Sequence, residues 1–128
     1  MFTRTISHAL GIALFTLLLC APARAQEIEV GNGIFCDTQK QVERFVALFD
    51  GKAEKAMQAV NAEENDPTAC VSGTIAFIRG PEITTARTSN GTFHIVRVLV
   101  IGVLTEAGFR KAVPTAFFSF ERVDERVA

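Results

Sequence analysis

Thr92-Phe93-His94-Ile95-Val96-Arg97-Val98-Leu99-Val100-Ile101-Gly102-Val103-Leu104 is the stretch whose reading decides the fold. Its β-branched and aromatic residues alternate, with Phe93, Ile95, Leu99, Ile101 and Val103 on one face and Val96, Val98, Val100 and Leu104 on the other. A strand that is apolar on both faces is covered on both, so it belongs in the middle of a sheet.

Working outward, Asn90-Gly91 just before this strand is the strongest hairpin-turn signal in the chain. Ile83 to Arg87 reads as a short edge strand, and Val71 to Ile78 as another strand that Gly80-Pro81 turns. On the far side, Glu106-Ala107-Gly108 turns the chain again. Thr115 to Val123 then supplies a last strand through Phe117, Phe118 and Phe120, with Pro114 at its start, where a missing N–H does least harm.

Upstream of Cys70 the apolar period changes from that of a strand to that of a helix. Asp37 or Thr38 caps a helix, and Thr38 with Gln41 three residues later has the form of a capping box. Val42, Phe45, Val46 and Phe49 follow as one helical stripe. Asp50-Gly51 stops or bends the helix, after which Ala53, Ala56, Met57 and Val60 repeat the spacing. The phase from Val42 to Val60 is continuous, so a helical pair and one bent helix both fit. Before them, Ile28, Val30 and Ile34-Phe35-Cys36 read as a short strand or extended arm broken at Gly31-Asn32-Gly33.

The expected fold is therefore α+β: an N-terminal helical pair, or one bent helix, packed on a curled antiparallel sheet of three to five strands. Strand order and barrel closure do not follow from this pattern. An uncovered strand edge would offer a second copy a place to pair, as a homodimer.

Residues 1–25 read as a secretory signal peptide: Arg4 in the n-region, an apolar run from Ala9 to Leu19, and Ala23-Arg24-Ala25 as the small-x-small cleavage pattern. The apolar run is about half of the roughly 20 residues that a spanning helix needs, which argues against a retained anchor. Leu18 and Leu19 before Cys20 argue against lipidation, which needs a small residue there. Cleavage after Ala25 leaves residues 26–128, enough for one small exported domain, with the bacterial periplasm as the expected compartment.

That domain keeps two cysteines, Cys36 and Cys70, and an even count in an exported chain reads as a disulfide. Such a bridge is worth about 3 to 4 kcal/mol in the chain-entropy account. It carries 11 Lys and Arg against 14 Asp and Glu, a formal net charge of −3, which makes nucleic acid a poor partner. The acidic side chains concentrate before Cys70 and the basic ones after it.

No residue set carries a catalytic, metal or cofactor motif. Cys36 precedes a helix N-terminus, where a thiolate is favoured, yet Cys70 offers it a partner and there is no Cys-x-x-Cys pair. His94 is the sole histidine after residue 25, and neither Ser72 nor Ser119 lies in a Gly-x-Ser-x-Gly elbow. Arg97 interrupts the apolar face of Phe93, Ile95, Leu99 and Ile101, so it must meet a carboxylate such as that of Glu121, water or an anion. Arg79 and Arg122, near the ends of neighbouring strands, are candidates to converge with it on a ligand.

The sequence thus reads first as a non-enzymatic exported module that binds a protein or a small molecule. An anion- or ligand-sensing domain around Arg97 is the alternative, and a thiol- or histidine-dependent enzyme a third.

Overall fold

The computed structural model describes residues 27–123. The signal-peptide reading and the fraying expected of residues 124–128 lie outside them. The elements are β1 (Ile28–Cys36), α1 (Gln39–Leu48), α2 (Ala53–Glu64), β2 (Cys70–Thr88), β3 (Gly91–Thr105) and β4 (Gly108–Arg122). Strands β1-β2-β3-β4 follow one another in an antiparallel sheet that curls until β4 meets β1, closing a small barrel. The α+β arrangement with a helical pair is present, and β3 is an inner strand flanked by β2 and β4.

Two helices form, because the chain leaves helical geometry at Phe49 and Gly51 and re-enters at Ala53. The capping box closes reciprocally: the Gln41 N–H donates to Thr38 Oγ1 at 3.2 Å and the Thr38 N–H to Gln41 Oε1 at 3.0 Å. Both satisfy free donors of the first turn of α1. Val42, Phe45 and Val46 of α1 and Ala56 and Val60 of α2 are buried against Cys36, Phe93 and Ile95 on the outer face of the barrel. Phe45, Phe49, Phe93 and Phe120 stack or meet edge-on within this layer, with ring centroids 5.1 to 6.4 Å apart. A second cluster of Phe35, Ile75, Val96, Val98 and Val100 lies on the inner face of the barrel.

The two cysteines form a disulfide. They are also direct cross-strand partners at the ends of β1 and β2, so the bridge closes the neck from which the helical segment 37–69 departs. It joins strand to strand. Asn61 of α2 reinforces the neck: its side chain accepts from the Cys70 N–H at 2.8 Å and donates to the Cys70 carbonyl at 3.1 Å.

Several boundaries differ from the sequence reading, each for a reason in the ladder. β1 runs unbroken through Gly31-Asn32-Gly33, because β2 pairs with it at every residue. Gly80-Pro81 does not turn the chain. The pair lies in a bulge opposite Arg97 within one long strand, a site that tolerates a residue with no N–H. β4 begins at Gly108, with residues 112–114 facing the single residue Ile101, so Pro114 sits in a second bulge. At the β2–β3 turn, Thr88 pairs with Gly91 and the loop is Ser89-Asn90. The positive φ falls on Gly91, as it does on Gly108 after Glu106-Ala107, so both hairpins place glycine where a side chain would be strained. Asn90 also donates to the Phe49 carbonyl at 2.6 Å, tying this hairpin to the helix break.

Gly80 is required for a steric reason. A Cβ there would lie 2.5 Å from the Arg97 carbonyl oxygen, whereas one on Gly73 would meet nothing within 4 Å. Gly80→Ala is expected to cost about 1 to 3 kcal/mol and Gly73→Ala to stabilise by up to about 1 kcal/mol, as measured by urea unfolding.

Candidate functional site

β1 and β4 are joined by one registered pair, Cys36 with Phe118. Next to it the Ser119 hydroxyl donates to the Ile34 carbonyl at 2.7 Å, and beyond that point the two strand edges part around a cavity of about 380 Å³. The inward residues of each strand follow from the period of two. β1 contributes Gly31, Gly33 and Phe35, β2 contributes Ile75 and Phe77, and β3 contributes Val96 and Val98. These inward walls are apolar, and two of β1's three inward residues are glycines.

Both glycines hold space open. A Cβ on Gly31 would sit 3.7 Å from Phe77 and one on Gly33 3.7 Å from Phe35, ordinary contact distances, and neither glycine has a positive φ. The backbone at both positions therefore accepts a side chain, which would take up part of the cavity.

Charge is confined to the rim. Arg79 reaches from β2 to Glu29 of β1, Nε to Oε2 at 3.2 Å, and also pairs with Glu121 of β4, so one guanidinium ties both sides of the seam. Beside it, His94 Nδ1 lies 3.4 Å from Glu82 Oε2, and Thr85 donates to Glu82 at 2.9 Å. All of these ionic side chains are about two-fifths exposed, so they shape the entrance and contribute little to stability. Among the described residues no group of three or more His, Cys, Asp or Glu could hold a metal ion.

The three arginines singled out in the sequence do not converge. Arg79 is at the rim. Arg97, between the inward Val96 and Val98, points to the other side of the sheet, is exposed, and pairs with no carboxylate among the described residues. The reason is that the helices cover its strand face only as far as Ile95. Arg122 donates to the Asn90 carbonyl at 2.7 Å and lies over the Phe93 ring, its carbon 5.9 Å from the centroid, beside the helical layer. Cys36 is spent in the disulfide, Ser119 on the Ile34 carbonyl, and Ser72 makes no hydrogen bond to His94.

Sequence reasoning missed Gly31 and Gly33 as site residues, reading them as a break. Their signal was the i, i+2 spacing with Phe35, which puts all three on one strand face. It missed Glu29, whose ion pair joins residues 50 apart in sequence, and it expected Glu121 beside Arg97, whereas Glu121 pairs with Arg79. Compared with protein-family models, curated proteins and solved structures, the chain matches none.

Proposed function

We propose that this chain is a non-enzymatic exported binding module, and that its ligand is a small, largely apolar molecule taken into the cavity at the β1–β4 seam. One observation carries the reading. On the strand that borders the cavity, two glycines with unstrained backbone leave room in which an added Cβ would meet only ordinary contacts at 3.7 Å. Protein interiors pack to the density of organic crystals, and glycine inside a strand costs roughly 0.5 to 1 kcal/mol relative to alanine. An open, apolar space maintained against that cost is the pattern of a ligand pocket, and its volume falls within the usual range for one. Export is supported by the signal-like residues 1–25 and by the disulfide; no helix among the described residues is long and apolar enough to cross a membrane.

Gly31→Val separates pocket from scaffold. The variant is expected to keep the wild-type melting temperature or raise it, gaining up to about 1 kcal/mol, while binding of an uncharged solvatochromic dye falls at least about tenfold. Calorimetric melting and dye titration check the two halves. Equal dye binding by both proteins would reject the pocket.

A further inference from the structure

The helical layer covers only part of the outer sheet face. Directly opposed residues share a face, so the strand register defines two rows that cross all four strands below the helices. The first is Ile28, Ile78, Leu99 and Ala116. The second is Val30, Ala76, Gly102 and Lys111, and the Leu104–Phe109 pair adjoins it. On β1 these rows are continuous in phase with Ile34 and Cys36, which the helices do cover. Ile28 and Val30 are each 62% exposed, Leu104 46% and Phe109 52%.

Three features fit this half-face to one kind of occupant. Small residues, Gly80 and Ala116, open a groove of about 280 Å³ that Ile78, Pro81, Leu99 and Arg97 line. Arg79 borders the groove but is paired with Glu29 and Glu121, whereas Arg97 and Lys111 are exposed and have no carboxylate partner among the described residues. And the face continues a layer that this chain already covers with helices. A second copy is disfavoured, because face-to-face packing would set these cations against each other.

We propose that this half-face docks an amphipathic helix of a partner protein, apolar along one stripe and carrying carboxylates that meet Arg97 and Lys111. Lys111 pairs with Gly102, five residues along β3 from Arg97, so strand spacing places the two cations about 17 Å apart, a rise of about eleven residues along a helix. The apolar rows lie on the opposite face of the sheet from Gly31, so Gly31→Val leaves them unchanged, although the groove and the cavity share Arg79 and Val98.

The test uses fluorescently labelled helical peptides of matched apolar content, one of leucine and glutamate and one of leucine and lysine, titrated with the full domain. The glutamate peptide is expected to bind at least about tenfold more tightly than the lysine peptide. Arg97→Gln with Lys111→Gln should remove about tenfold of that preference. Leu104→Ser with Phe109→Ser should weaken the glutamate peptide at least about tenfold. All four positions are exposed, and unchanged melting of each double variant shows that the fold persists. No binding of either peptide, no preference between them, or no effect of either double variant would overturn the proposal. So would binding to phosphatidylglycerol vesicles, lost on the same substitutions, in place of peptide binding; that result would make the face a lipid surface.

Discussion

Replacing Cys36 and Cys70 together by alanine is expected to lower stability by about 4 kcal/mol, enough to drop the melting temperature by roughly 15 to 30 °C in a domain of this size. The bridge joins residues 34 apart in sequence, and without it the whole helical segment is a free loop in the unfolded chain. It also pins the one place where β1 meets β4, since Cys36 pairs with Cys70 on one side and with Phe118 on the other. Both cysteines are fully buried, so alanine is the appropriate replacement; serine would add two buried hydroxyls to the cost. Urea unfolding of the double variant beside the oxidised protein measures the difference. A loss below about 1 kcal/mol would mean that the register of β1 and β2 alone holds the neck closed.

Phe45→Ala is expected to cost about 3 to 5 kcal/mol. Phe45 is 0% exposed, stacks on Phe120 at 5.1 Å and on Phe49 at 5.8 Å, and joins α1 to β4. Its removal leaves a cavity that rigid neighbours on the sheet cannot close. Against a total stability of roughly 5 to 15 kcal/mol, the variant should be partly unfolded at physiological temperature. Phe109→Ala provides the contrast: that ring is half exposed, and the change should stay within about 0.5 kcal/mol. Circular dichroism melts of the two variants distinguish a helix-to-sheet core centred on Phe45 from one spread evenly over the phenylalanines.

The periodic parts of the fold were legible in the sequence because their causes are local. The stripe from Val42 to Val60, the capping box at Thr38 and the two-sided strand around Val96 each follow from side-chain spacing, and each is present. The disulfide was legible because only two candidates remain after residue 25. Bulges were not. Gly80-Pro81 carries the residues of a turn, and only the partner strand shows that the chain continues past them. Arg97 was read correctly as an interruption, but its surroundings depend on where the helices end, which is a tertiary fact. The candidate cavity was the least legible part, since it consists of missing side chains at Gly31 and Gly33 and of a gap between the first strand and the last.

The proposed ligand site lies inside the β1–β4 seam. Methyl-resolved NMR during titration with the uncharged dye tests it most directly, because every wall of the cavity except β4 offers a methyl group or abuts one. Shifts confined to Ile75, Val96 and Val98, and absent in Gly31→Val, are the predicted result. Shifts on Val30, Leu99 and Leu104 with the interior methyls unmoved would contradict it, placing the dye on the outer face of the sheet.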